Sequence, residues 1–341
     1  MGLSMISIVF LLLLKSESIK ARSEERKSVA ICICGQIARW MPEGSINGLV
    51  HDMNKNFDLY FFYKLGKHAQ TVYSTRPGMA TTTSSPMYSL SKANITNTLL
   101  GMLTGENSYL ASLWIDHHQR PAAYWRKLMA VAKLDRIIQY QHNQENILDM
   151  YKHQVDCAQQ ISLYEKESMN QKFDHVIFTR DDAYYFKPVD LNVLQRHLTN
   201  EDIDCHLVSK NCLQWGGINM RWQMMNREHL ENFYGSRLDF YEHMIATNNS
   251  VHNPEMFEKL QLEKHLGLKA CNVSVDDVPV TAARYSTSKD KIKKKIGDLC
   301  VLYPHELREC VPDDSKILAY TKTLDRLQKP YKDVKCIALT A

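Results

Sequence analysis

The sequence predicts an α/β fold built on a mostly parallel sheet flanked by helices. Three observations carry that prediction. Residues 28–35 (SVAICICG) form an unbroken apolar run of strand length, the mark of a strand covered on both faces. Residues 57–63 (FDLYFFY) repeat that character. Beyond them, segments with helical apolar spacing alternate with further strand-like runs, as strand–helix–strand units do.

The elements follow in order. An apolar run closing in Leu11 to Leu14 precedes a charged, Ser-rich stretch. It is too short for a comfortable membrane span and suits a signal peptide or a short signal anchor over 1–16. A stem over 17–27 then leads into one domain over 28–341. Residues 67–97 are rich in Ser, Thr, Gly and Pro and read as a long loop or insertion. Residues 121–172 read as helical, with Leu128, Val131, Ala132, Ile138, Ile147, Met150, Val155 and Ala158 near helical spacing. A strand over 173–179 and a short helix over 189–198 come next. A strand over 203–209 is followed by a turn at Trp215-Gly216-Gly217, a strand over 219–225 and a helix over 227–234. Residues 254–266 read as an amphipathic helix carrying Met256, Leu260 and Leu262, and 273–280 as a strand. No internal repeat is present, and no linker divides the chain.

Composition narrows the function classes. Hydrophobic residues make up 44% and charged residues 23% of the 341, an ordinary globular balance. A formal net charge of +4 with one short basic run over 289–295 gives no footprint for nucleic acid. Sequons at Asn94, Asn248 and Asn272 and nine cysteines fit entry into an oxidising, secretory compartment. Cys205 with Cys212, and Cys300 with Cys310, are near enough in sequence to bridge local loops, although connectivity does not follow from spacing. No CxxC or HExxH occurs, so no zinc site is expected. The adjacent His117 and His118 also lack a helical ligand spacing.

The chemistry concentrates in residues 173–188 (FDHVIFTRDDAYYFKP), where an apolar strand breaks into Arg180, Asp181 and Asp182. In open α/β sheets, ligands bind beyond the carboxyl ends of the strands. Gly35-Gln36 occupies the same place after the first strand. Paired aspartates there suit a hard divalent cation, which takes carboxylate oxygens and keeps positions open for phosphate oxygens. Neighbours on an extended chain point opposite ways. If Asp182 faces a metal, Asp181 faces a ribose hydroxyl or Arg180. The plain alternative is an ion pair of Arg180 with an aspartate in a turn.

Read together, VAICICGQIARW (29–40), FDLYFFY (57–63), FDHVIFTRDDAYYFKPVDL (173–191) and QWGGINMRWQMMNREHLENFY (214–234) resemble a little-characterised group of GT-A-type glycosyltransferases. A weaker match covers 253–285. The resemblance implies a GT-A-like, Rossmann-related sheet and transfer of a sugar from a nucleotide-sugar donor to a glycan or protein hydroxyl in the secretory pathway. It also implies Mn²⁺ or Mg²⁺, with Asp182 as the metal contact. Gly35, Gln36 and Arg39 match the turn that approaches the nucleotide, and Arg180 and Asp181 join them at the donor. Here the aspartate motif is Arg-Asp-Asp, which places Arg180 where a carboxylate often stands. Trp215, Gly216, Gly217 and Asn219 match the loop that lines sugar and acceptor, with Met220 where similar chains often carry Asp. Glu255 is the match for a catalytic glutamate, although an acid in the first helical turn also favours the macrodipole. Asp276 and Asp277 read as turn residues, and Arg284 as a partner for phosphate or for Asp181. Trp114, Trp125, Trp215 and Trp222 could stack on sugar rings, but most tryptophans are simply core, and only Trp215 has a motif that places it in a cleft. The other reading is a glycosyltransferase-like fold without catalysis that binds glycans or a partner.

Overall fold

The computed structural model describes residues 26–40, 42–67, 85–116, 144–185, 187–212, 214, 216–285 and 299–301. Side chains are not described at 86, 144–146, 281–285 and 299–301. In chain order the elements are β1 (Lys27–Gln36), α1 (Pro42–Ile46), β2 (Phe57–Gly66), α2 (Lys92–Met102), β3 (Ser108–Asp116), α3 (Gln144–Tyr164), β4 (His175–Arg180), β5 (Ala183–Tyr185), α4 (Leu191–Thr199), β6 (Leu207–Lys210), β7 (Trp222–Asn226), α5 (Arg237–Ala246), α6 (Pro254–Lys259), β8 (Ala270–Val273), β9 (Val280–Tyr285) and β10 (Leu299–Val301).

A seven-stranded sheet runs in the order β3-β2-β1-β4-β7-β6-β8. All neighbouring pairs are parallel except those of β7, which is antiparallel to β4 and β6. The predicted mostly parallel sheet flanked by helices is therefore present. A second, three-stranded sheet, β10-β9-β5, is antiparallel.

The apolar run of β1 explains its central place. Successive strand residues face opposite ways. Val29, Ile31 and Ile33 join the core beneath α1, α2 and α4, supplied by Ile46, Ile95, Leu99, Leu191 and Leu194. Ala30, Cys32 and Cys34 join the core on the other face, with Cys157, Ala158 and Ile161 of α3. A disulfide between Cys32 and Cys157 fixes α3 to β1. A third cluster packs α3, α5 and α6 together through Tyr151, Tyr241 and Phe257.

Several expectations are corrected. Cys205 bonds to Cys271, not to Cys212, tying the entry of β6 to its parallel neighbour β8. Cys212 is itself disulfide-bonded. The strand expected over 273–280 is instead the connection between two strands, with only its ends, Val273 and Val280, in β8 and β9. A Ser274–Asp277 turn, closed by Ser274 Oγ donating to Asp277 Oδ2 (2.7 Å), separates β8 from β9. The helix expected over 227–234 is a 3₁₀ turn, Arg227–His229, followed by a π turn, Glu231–Gly235. The loop expected to reach residue 97 ends earlier, where Ser91 caps α2 and accepts from Asn94 N. Strand β3 and helices α1 and α5 were not foreseen. The leader, residues 17–25 of the stem and residues 121–143 lie outside the described residues, as do Trp125, Cys310 and the side chains of Arg284 and Cys300; Lys27, expected in the stem, is the first residue of β1. Among the described residues, no helix is long and apolar enough to cross a membrane.

Candidate functional site

The site grows from the parallel pairing of β1 with β4. Cys34 pairs with Arg180 in register, so Gly35-Gln36 and Asp181-Asp182 emerge side by side. Gly35 has a φ of +149°, and a Cβ there would lie 2.1 Å from Asp181 Oδ1. Only glycine permits that approach. The fully buried Asp181 carboxylate accepts from Gln36 N at 2.9 Å and from Arg39 Nε and Nη2 at 2.8 and 3.0 Å. Burial pushes the Asp181 carboxyl up, against the pull of Arg39. The five-residue turn is thus closed on Asp181 by a bidentate guanidinium pair, the strong form of such contacts.

Asp182 has its own arginine. Arg180 Nε donates to Oδ1 at 2.9 Å and Nη2 to Oδ2 at 3.0 Å. The Asp182 side chain is 1% exposed and that of Arg180 is 26% exposed, so Arg180 stands between the carboxylate and solvent. The Arg180 guanidinium therefore neutralises Asp182, while Arg39 neutralises Asp181.

β7 brings in the next group. Thr179 pairs with Trp222, which sets Arg221 beside Arg180 at the sheet edge, and Thr179 Oγ1 donates to Arg221 O at 3.1 Å. The loop before β7 is pinned onto α6. A Cβ on Gly217 would lie 2.0 Å from Glu255 C, and Ile218 N donates to Glu255 O at 3.0 Å. Gly216 adopts a φ of +82°. Asn219 is buried and braces the loop: its Nδ2 donates to Cys212 O at 2.5 Å, and its Oδ1 accepts from Arg221 N at 2.9 Å. Met220 packs with Phe240 and Phe257. Trp215 lies outside the described residues.

Glu255 opens α6, whose N-cap Asn253 accepts from Met256 N at 2.8 Å. Burial pushes the Glu255 carboxyl up to about 7; Glu258 adds to the rise, and Arg221 and Arg180 oppose it. A carboxyl balanced near neutrality can accept or release a proton at physiological pH. Behind it, a buried network fixes α6. Arg237 Nη1 donates to Glu258 Oε1 at 2.5 Å and to Gln154 Oε1 at 2.6 Å. Gln223 Nε2 donates to Glu258 Oε2, and Tyr234 OH to Gln223 Oε1.

Three sequence-distant motifs thus meet beyond the carboxyl ends of β1 and β4: the Gly35–Arg39 turn, Arg180–Asp182, and the Gly216–Asn219 loop resting on Glu255. Arg221 and the Glu258–Arg237 support were not foreseen. Arg221 had one usable signal, its place next to the Gly-Gly-x-Asn loop. Glu258 and Arg237 had none, because their pairing is tertiary. Of the candidate tryptophans, Trp222 is buried, whereas Trp114 at the end of β3 is 51% exposed with Lys64 Nζ 4.0 Å from its ring centroid.

Asp181 is committed to Arg39, and among the described residues the acidic groups form no convergent set of three ligands; the group that does converge is Cys32, Cys34 and Cys157. Asp182 is the carboxylate here that a hard cation could use, but both of its oxygens accept from Arg180, so a cation there would need Arg180 displaced and phosphate and water oxygens to complete its shell.

No protein-family model and no curated protein matches the chain. Among solved structures, it is similar to mouse xyloside xylosyltransferase 1 in the apo form, at 10% identity over 73% of this chain and 86% of that one, with a TM-score of 0.38. It is also similar to the galactosyltransferase LgtC in complex with donor and acceptor sugar analogues, at 9% identity over 73% of each chain and a TM-score of 0.39. An active-site mutant of LgtC matches at 9% identity over 88% of this chain and 95% of that one, with a TM-score of 0.39. Likeness at this level leaves function to be argued from the chain's own residues.

Proposed function

We propose that this chain is a glycosyltransferase of the GT-A type that takes a nucleotide-sugar donor and a glycan or protein hydroxyl as acceptor. The observation that carries the reading is the meeting of the Gly35–Arg39 turn, Arg180–Asp182 and Glu255 beyond the carboxyl ends of β1 and β4. These are the stretches on which the resemblance to such enzymes rests.

In this reading the donor diphosphate lies over the ends of β1 and β4. Gly35 and Gln36 shape the floor, and Asp181 with Arg39 keeps that floor rigid. Arg180 and Arg221 supply positive charge where the diphosphate leaving group develops negative charge, a preorganised electrostatic contribution. Asp182 would hold Mn²⁺ or Mg²⁺, which would add charge neutralisation at the same place. For Asp182 to take a cation, Arg180 would have to leave its pair with Asp182 and turn to the diphosphate. Glu255 takes the proton of the attacking hydroxyl, and its carboxyl near 7 suits that role. Gly217 lets the loop rest directly on the start of α6, Gly216 leaves room beside it for the sugar, and Asn219 holds that loop in shape.

The two described disulfides support folding in an oxidising compartment. We place the protein in the lumen of the secretory pathway or outside the cell, reached through a signal peptide or short anchor at 1–16. Calorimetry with nucleoside diphosphates in the presence of Mn²⁺ tests the donor assignment. Binding that is weakened about tenfold or more in Arg180→Ala and kept in Glu255→Gln is expected. Absence of heat with every nucleotide would overturn the reading and leave a binding module.

A further inference from the structure

The mechanism leaves one buried nucleophile unused. Cys34 is a free thiol, 5% exposed, on the same strand and the same face as Cys32, two residues away. Cys32 is bonded to Cys157 of α3, and both are fully buried. The Cys34 sulfur lies 3.0 Å from the Cys32 sulfur, and its S–H points also toward His153 O of α3 at 3.4 Å. All three sulfurs lie within 4.8 Å of one another. A thiol held against a disulfide sulfur is the starting arrangement for exchange, which proceeds by attack of a thiolate on one sulfur of the bridge.

We propose that Cys32, Cys34 and Cys157 form an internal thiol–disulfide exchange site. Through it the bridge passes from Cys32–Cys157 to Cys32–Cys34 and frees α3 from β1. In the step, Cys34 gives up its proton and its sulfur attacks Cys32 Sγ. The Cys32–Cys34 bond forms as the Cys32–Cys157 bond breaks, and Cys157 leaves as a thiolate that takes up the proton. One S–S bond replaces another, so no oxidant or reductant is consumed.

The surroundings set the pace and the consequence. Burial pushes the Cys34 thiol up, Asp156 and Asp181 add to that, and Lys64 and Arg237 oppose it, so the resting form is the thiol and exchange is slow. Residues two apart on a strand sit about 6.6 Å apart, near the upper limit of about 6.8 Å for Cα atoms joined by a disulfide. The new bridge therefore draws in the end of β1, directly before Gly35-Gln36, the turn that grips Asp181. Exchange would loosen α3 and alter that turn together. The inference does not depend on glycosyl transfer.

The test is peptide mapping of the full chain without reductant. The protein is held at pH 8.5 for increasing times, quenched in acid, and then unfolded with N-ethylmaleimide present. The position of the label reports the free cysteine of this trio. The expected result is label that begins on Cys34 and shifts in a growing fraction to Cys157. Both Cys34→Ser and Cys34→Ala should leave Cys157 unlabelled throughout, and the wild-type time course stands without them. Label confined to Cys34 at every time in the wild type would overturn the proposal.

Discussion

Replacing Glu255 with Gln separates two consequences of one buried carboxyl. The group titrates near 7 in the fold against an ordinary 4.5. At about 1.4 kcal/mol per pH unit of difference, the fold disfavours the ionised form by about 3 kcal/mol. Below pH 4.5 the carboxyl is protonated both folded and unfolded, and Glu255→Gln should match the wild type. As pH rises toward 7, the unfolded chain ionises freely while the folded chain resists, so the wild type loses stability that the Gln variant keeps. The difference should grow through that window to about 3 kcal/mol and stay level above it. For a chain of this size that corresponds to roughly 4 °C in melting temperature. Paired thermal unfolding at pH 4 and pH 8 measures it, and transfer activity should fall in the same variant. An offset between wild type and variant that is equal at both pH values would refute the argument that burial holds this carboxyl near neutrality.

Three other outcomes follow from the same geometry. Arg39→Ala leaves the Asp181 carboxylate fully buried with only Gln36 N among the groups described above, and should cost about 3–5 kcal/mol in urea unfolding; a cost under about 1 kcal/mol would contradict the clamp. Arg180→Ala uncovers Asp182 and should raise affinity for Mn²⁺ alone while weakening that for nucleoside diphosphate, both by about tenfold or more, the change expected for about 1.4 kcal/mol; unchanged Mn²⁺ affinity in titration calorimetry would show that Arg180 is not the carboxylate's competitor. Gly217→Ala places a Cβ 2.0 Å from the Glu255 backbone, and should displace α6 at a cost of roughly 1–3 kcal/mol, with acceptor KM raised; a variant of wild-type stability would contradict the packing.

The parts of the fold set by local pattern were legible in the sequence. The unbroken apolar runs of β1 and β2 announced strands covered on both faces, and the apolar spacing of Met256, Leu260 and Leu262 announced the helical segment that α6 opens. β3 was harder because its burial is only partial, at the sheet edge, and its residues Ser108–Asp116 mix polar and apolar without clean alternation. The turn between β8 and β9 was missed because Val273, Val275, Val278 and Val280 look like one strand, while Ser274 and Asp277 close a local turn that interrupts it. At the site, position at strand ends made Gly35, Asp181 and Asp182 readable. Which arginine serves which aspartate was not, since Arg39 and Arg180 are both near in sequence to a strand end and only tertiary geometry assigns them. Cys205 had a close sequence neighbour in Cys212, yet parallel pairing of β6 with β8 brings Cys271 to it, and those two form the bridge.

The most direct test of glycosyl transfer at this site is nucleoside diphosphate release from a panel of nucleotide sugars with Mn²⁺, comparing the wild type with Asp182→Asn. The account predicts release from at least one donor by the wild type and loss of about a hundredfold or more in the variant, the scale on which removal of one electrostatic stabiliser acts. Release that is unchanged by Asp182→Asn, or no release from any donor, would contradict it.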